Sequence, residues 1–361
     1  MSPRDDTFDD LVGFNEFDDL VGFNDLIQKG DSLLAWGSYT AAIAKFDEAL
    51  RLDPESAVAL HKRGQCYAQK KDDARAIADY NAAIRSDANL APAFFNRGQS
   101  NQRLGHSKRA IADYTEALRL DPQFAEALNS RGVVYANNNE IERAFADWDL
   151  AIQIYTGDAQ SDADHADVFY NRGMLHARLK RVEQALADYS KAIEIDPKHA
   201  KAYYKRGTLH AAKTKDMQAA IADYSRSIKV DPKQPHVYIS RGMAHRHSGE
   251  LERAVEDYSE AISLDRQNAR IYNRRGQVHF DRGDTDTAVS DYSKAIRIDP
   301  DFAQAYVNRG AAHSSRGDHD DAIKDYGEVV RLRPKDSAGY YHRGRAYERC
   351  GRFEQALENY N

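Results

Sequence analysis

Cysteine is almost absent from this chain of 361 residues: Cys66 and Cys350 are the only two, far apart in sequence. Two such residues give neither a disulfide framework nor a CxxC metal pair, which fits a reducing, cytoplasmic setting. Proline is scarce, with nine residues, and tryptophan scarcer, with two. No apolar run approaches the roughly 20 residues needed to span a bilayer, so no membrane partner is expected. The start, Met1 to Asp10, is acidic and lacks the apolar core of a secretory signal. GxxxxGK[ST], HExxH and a GxGxxG following a strand are all missing, so neither catalysis nor a cofactor or metal is expected.

What is present suits a soluble helical protein: 42% apolar residues, 30% charged, and 21 tyrosines. The net charge of -6 is unevenly placed. Residues 1–25 hold eight acids against Arg4 alone, a net of -7, so the remainder stands near +1. An acidic arm precedes a nearly neutral body.

A fixed period organises that body. Glycine follows a basic residue at Gly30, Gly64, Gly98, Gly132, Gly173, Gly207, Gly242, Gly276, Gly310 and Gly344, mostly 34 residues apart. An aromatic keeps the same beat: Phe46, Tyr80, Tyr114, Trp148, Tyr189, Tyr224, Tyr258, Tyr292, Tyr326 and Tyr360. Alanine stands four places before each aromatic, from Ala42 to Ala356. Repeats close on Asp-Pro pairs such as Asp53-Pro54 and Asp121-Pro122, with Arg333-Pro334 as a variant. Apolar residues three and four apart predict two helices per repeat, Ala91–Leu104 and Ser107–Leu120 in the third. Gly105 breaks the first of these, and proline stops the second. The glycine and alanine let the paired helices approach, and the aromatic fills the space beside them.

These three markers resemble the tetratricopeptide repeat, over roughly Phe23 to the C-terminus. The resemblance implies an all-α, right-handed superhelical solenoid of about ten helix-turn-helix units, with a concave groove lined by the first helix of each pair. One pair cannot bury its apolar face alone, whereas stacked neighbours bury each other's. The expected organisation is an arm at 1–22, repeats one to four at 23–158, an inserted polar loop at 159–165, and repeats five to ten at 166–361, the last incomplete. The sixth repeat carries one extra residue near Lys213–Asp216.

Two polar series recur. Arginine precedes the glycine at Arg63, Arg97, Arg131, Arg172, Arg206, Arg241, Arg275 and Arg309. Aspartate precedes the aromatic at Asp79, Asp113, Asp147, Asp188, Asp223, Asp257, Asp291 and Asp325. In an antiparallel pair these places lie together, which predicts an Arg–Asp ladder; the other reading is a row of arginines offered to phosphate. His176, His210, His245, His279 and His313 also share one place, where Tyr67, Tyr135 and Tyr347 stand elsewhere. Stacked helices lie about 8–10 Å apart, so one metal ion cannot gather these histidines, and packing is their expected role.

In the family, the groove is lined by the first helices. Asn96, Asn171 and Asn308 sit two before the glycine and resemble the asparagine ladder that grips peptide backbone in O-linked N-acetylglucosamine transferase. An amide can donate to and accept from a backbone, so it holds peptide without reading side chains. Asn171, Lys201 and Lys205 resemble half of the carboxylate clamp of heat-shock co-chaperones, but Asn129 and Val133 stand where the other half should be. Lys201, Lys205, Arg246, Arg270, Arg274, Arg345 and Arg349, interleaved with Phe95, Tyr170, Tyr204 and Tyr341, read either as ordinary solvated helix surface or as a groove for an acidic, aromatic-containing peptide.

FDDLVGFN occurs twice, at Phe8–Asn15 and Phe17–Asn24. Nine residues on one helix amount to 900°, which would turn the two apolar sets to opposite sides. Gly13 and Gly22 weaken such a helix further. The copies therefore read either as a disordered tail with a duplication or as two short docking elements, the second leading into the first repeat, suited by charge to the basic groove of the same or a neighbouring molecule. The expected function is a protein-interaction scaffold binding peptide segments, with self-association through the arm. The alternatives are an RNA-binding helical repeat, disfavoured by the acidic arm and near-neutral body, and the regulatory part of a larger enzyme.

Overall fold

The computed structural model describes residues 16–157 and 163–361. The first FDDLVGFN copy and the middle of the insertion lie outside the described residues, so the expectations placed on them have no structural counterpart here. Among the described residues every regular element is helical.

Among the described residues ten hairpins follow one another. The first four pair α1 (Glu16–Ala35) with α2 (Tyr39–Leu52), α3 (Ala57–Gln69) with α4 (Asp73–Ser86), α5 (Ala91–Arg103) with α6 (Ser107–Leu120), and α7 (Ala125–Asn137) with α8 (Ile141–Gly157). The fifth to seventh pair α9 (Ala163–Arg178) with α10 (Val182–Ile195), α11 (Ala200–Leu209) with α12 (Met217–Val230), and α13 (Pro235–His247) with α14 (Leu251–Leu264). The last three pair α15 (Ala269–Asp281) with α16 (Thr285–Ile298), α17 (Ala303–Arg316) with α18 (His319–Leu332), and α19 (Ser337–Arg349) with α20 (Phe353–Tyr360). The chain parts into two compact units, Met1–Asn171 and Arg172–Asn361, with the boundary inside α9.

Local chemistry sets the helix ends. Asp53 leaves α2 in an extended conformation, φ -133°, because the following Pro54 disfavours the helical region and has no amide to donate. The Asp53 carboxylate then accepts from the Glu55 amide and closes the turn. Ser56 and Asp72 cap the next two helices by accepting from the amides of Ala59 and Arg75.

Packing follows the marker residues. The aromatic of each second helix lies against the glycine of the first, as Tyr114 does against Gly98. Ala76, Ala110 and Ala144 are fully buried beside them. Hairpins then join through small and aliphatic residues: in the first unit Ala49 and Leu50 of α2, Ala59 and Leu60 of α3, Ala83 of α4 and Ala93 of α5 form one cluster. In the second, Tyr258 and Ala261 of α14 meet Ile271 and Val278 of α15.

Three departures concern the irregular repeats. The second FDDLVGFN copy is not a separate element, because α1 begins at Glu16 and runs through it into the first hairpin. Its Phe23 packs with Leu26 and Ile27 on the cluster of Ala49 and Leu60 in the first unit. The insertion is narrower than the expected loop at 159–165: α8 extends to Gly157 and α9 starts at Ala163. His165 lies inside that helix, its ring 5.0 Å from Tyr155 and 5.4 Å from Phe169, so aromatic packing extends the helix into the polar run. The extra residue of the sixth hairpin is absorbed as a π-turn, His210–Thr214, ending on Lys215 in the left-handed region at φ 57°.

Candidate functional site

The recurrent charged residues are internal. Arg206 donates from Nε and Nη2 to both oxygens of Asp223, at 2.8 and 2.7 Å, and from Nη1 to Ser190 of the preceding hairpin at 2.9 Å. Arg241, Arg275 and Arg309 repeat this with Asp257 and Ser225, Asp291 and Ser259, and Asp325 and Ser293. In the first unit Arg63 joins Asp79 to Asp47, Arg97 joins Asp113 to Asn81, and Arg131 joins Asp147 to Thr115. Each arginine thus ties its own hairpin together and stitches it to the one before. The aspartates are buried, and the bidentate carboxylate raises the pKa of Arg206 and Arg275. The ladder reading holds, and the row of arginines is committed.

The recurrent histidines stand behind it. Nε2 of His176, His245, His279 and His313 lies 3.8, 3.8, 4.0 and 3.9 Å from the ladder carboxylates Asp188, Asp257, Asp291 and Asp325. Asn101 of the third hairpin takes the same place and donates to Asp113 at 2.8 Å. His210 is displaced by the π-turn and reaches Thr214 at 3.4 Å instead. Among the described residues no group of three or more histidines, cysteines or acids is placed to hold a metal ion. No described helix is long and apolar enough to cross a membrane.

The asparagines are engaged across hairpins. Asn96 Nδ2 lies 2.8 Å from His61 Nε2, Asn171 Nδ2 donates to Asn129 at 3.0 Å, and Asn308 Nδ2 donates to the buried Asn273 at 2.8 Å. The partner always stands three before the glycine of the preceding hairpin. Burial, helped by the neighbouring Lys62 charge, pulls the His61 imidazole down to about 4, so the ring is neutral and can accept from Asn96.

First helices of neighbouring hairpins also touch one another, as α3 does α5 in the first unit and α15 does α17 in the second, more closely than second helices do. The first helices therefore form the inner face of each unit, and two recesses on it are lined from positions two before, one after and five after the glycine. In the first unit Gln65, Gln69, Asn96 and Gln99 line a polar recess of about 530 Å³ on that face. In the second, Thr208, Ala212, Ser240, Met243 and His247 occupy the same register around a recess of about 540 Å³. Its floor is apolar, from Ala211, Met217, Tyr224 and Ala244.

The expected groove residues fare differently. Lys201 and Lys205 precede Thr208 at helical spacing on α11, so one face carries two cations and leads toward the second recess. Lys205 Nζ also sits 5.8 Å over the Tyr204 ring, and Tyr204 packs edge-on against His236 at 4.8 Å. Arg246 is engaged with Asp281 at 2.6 Å and Gln277 at 3.3 Å. Arg274 reaches the side chain of the buried Tyr258. Arg270 lines a small cleft at a hairpin turn beside Asp299. Tyr341 borders a wider one of about 750 Å³ with Tyr340 and Tyr360, and Arg345 lies over its ring at 5.9 Å.

Sequence reasoning missed Met217, Met243, Ala212 and Lys215. The signal was there: thirteen residues separate Gly207 from Ala220, against twelve in the other repeats, and alanine at 212 replaces the Gln69 and Arg103 of earlier repeats.

Models of the tetratricopeptide repeat match residues 27–91, 95–159, 166–199, 200–234, 303–336 and 337–361, and a TPR repeat model matches 242–283 and 276–315. No curated protein matches. Solved structures similar to this chain include MamA, 26% identical over 45% of this chain and 87% of that one, TM-score 0.42. YrrB, described as a TPR protein with an unusual peptide-binding site, is 20% identical over 52% of this chain and 95% of its own, TM-score 0.46. The APC/C hetero-tetramer Cut9–Hcn1 is 15% identical over 93% and 92%, TM-score 0.42.

Proposed function

The chain belongs to the tetratricopeptide-repeat family, and from that premise we propose that it is a protein-interaction scaffold whose first-helix face holds an extended acidic peptide. The observation that carries this reading is the face of α11, where the exposed Lys201 and the cation Lys205 run into a recess that no hairpin side chain fills. An extended peptide places carboxylates on such cations and an apolar side chain in such a recess, gaining charge-assisted contacts and apolar burial together. The acidic arm at 1–22 has the composition of a competing occupant. The phosphate reading of the arginine row loses support, because those guanidinium groups are held by buried aspartates. A regulatory role within a larger enzyme is compatible with the same face and has no residue of its own in favour of it.

A random-peptide display selection against the full chain tests the proposal. Enrichment of acidic peptides carrying a bulky apolar residue, lost on Lys201→Glu with Lys205→Glu, supports it. Peptides that bind both forms equally, or none at all, with RNA recovered in a nuclease-sensitive form instead, move the function to nucleic acid.

A further inference from the structure

The π-turn of the sixth hairpin sets the second recess apart from its counterpart in the first unit. One extra residue turns the end of the first helix into a π-turn over His210–Thr214, and Lys215, left-handed like the turn residue of every other hairpin, stands at the rim. π-turns inside helices cost regular hydrogen bonding and often mark functional positions. Where Gln69 and Arg103 extend from the corresponding place in earlier hairpins, Ala212 stops at its Cβ. The result is a methionine-lined hole, Met217 on one wall and the 43% exposed Met243 on the other, rimmed by Lys215 and His247. Methionine adapts its flexible thioether to apolar guests.

The chain carries a segment with the complementary chemistry. Of the two FDDLVGFN copies, the second is built into α1, its Phe23 seated on the core of the first hairpins. The first, Phe8–Asn15, repeats the same side chains ahead of that helix. Asp9 and Asp10 supply two adjacent carboxylates, and Phe8 and Leu11 flank them with apolar groups. Its carboxylates and apolar side chains match the Lys215 rim and the methionine walls of the recess.

We propose that Phe8–Asn15 of a second copy of this chain docks in the π-turn recess, with Phe8 or Leu11 between Met217 and Met243 and the Asp9–Asp10 pair against Lys205 and Lys215. The inference rests on the groove reading and narrows it to one pocket and one ligand. In effect the arm makes each molecule a competitor for the peptide site of another.

The test uses the full chain labelled with ¹³C at the methionine methyls, of which there are four: Met1, Met174, Met217 and Met243. A synthetic peptide of residues 7–16 is added to the Phe8→Ser/Leu11→Ser variant, whose own first copy is disabled. Shifts of the Met217 and Met243 methyls, with Met174 unmoved, are expected. Filling the hole with Ala212→Gln, the residue found at position 69, should weaken binding about tenfold or more. Sedimentation velocity should show concentration-dependent association of the wild type, lost in the Phe8→Ser/Leu11→Ser variant and weakened by Ala212→Gln. No shift at Met217 and Met243 overturns the recess, even when the peptide still binds through Lys201 and Lys205; in that case the groove reading survives alone. A wild type that stays monomeric, with these methyls differing between it and the arm variant, puts the segment in its own molecule and overturns the second-copy assignment.

Discussion

The ring of Tyr80 lies so close to Gly64 that a Cβ on that glycine would stand 2.6 Å from its Cε1 atom. Tyr80 is itself fully buried and cannot swing away into solvent. Gly64→Ala is therefore expected to destabilise the second hairpin by about 1–3 kcal/mol through overpacking. Urea denaturation measures it, and a midpoint equal to wild type would show that the two helices can slide apart without cost.

The Arg–Asp ladder predicts a larger effect. Asp291 is buried and accepts both Nε and Nη2 of Arg275. Arg275→Leu leaves the buried Asp291 carboxylate with only His279, 4.0 Å away, and also loses the tie to Ser259, so a loss of about 3 kcal/mol is expected. Replacing Arg275 and Asp291 together by apolar residues should recover much of that loss. A double variant no better than the single one would count against the pairing.

Acid should destabilise the second hairpin, with its contact to the third, and also the eighth. His61 is held neutral, its pKa lowered to about 4 by burial and by Lys62, and burial also lowers that of His279. The unfolded imidazole takes up its proton near 6.5, so below that pH the unfolded chain binds more protons and stability falls as pH drops toward 4. For His61 the loss amounts to about 3 kcal/mol, at 1.36 kcal/mol per pKa unit. His61→Asn should flatten the pH dependence of thermal unfolding between pH 6.5 and 4; an unchanged slope would assign the acid sensitivity to the other groups.

The asparagines at positions 96, 171 and 308 have a role to be separated from peptide contact. Asn308→Ala removes the donor to the buried Asn273 and should cost about 1–2 kcal/mol of stability. A variant of unchanged stability that loses peptide affinity would return Asn308 to the ligand.

Much of this protein was legible in its sequence because the repeat states the same local facts ten times. Gly98 and Tyr114, or Arg241 and Asp257, are fixed relative to one another by helix geometry within a single hairpin, so spacing alone pairs them. Asp-Pro at the close of a repeat ends a helix wherever it occurs, and the third hairpin lies within one residue of its expected bounds. The face of α11 that joins Lys201 to Lys205 was legible for the same reason.

Contacts between hairpins followed no such local rule. Whether Asn96 faces solvent or His61, and whether Arg246 is open or held by Asp281, depends on which side chains stand 35 residues away on the neighbouring helix. The sequence could count the extra residue of the sixth repeat, but only packing decided that the backbone takes it up as a π-turn beneath Met217 and Met243 rather than as a longer loop. Period and helix pairing are properties of the chain's local order, set residue by residue. The accessible cations and the open recess are properties of the stack, left over after neighbouring hairpins have satisfied one another.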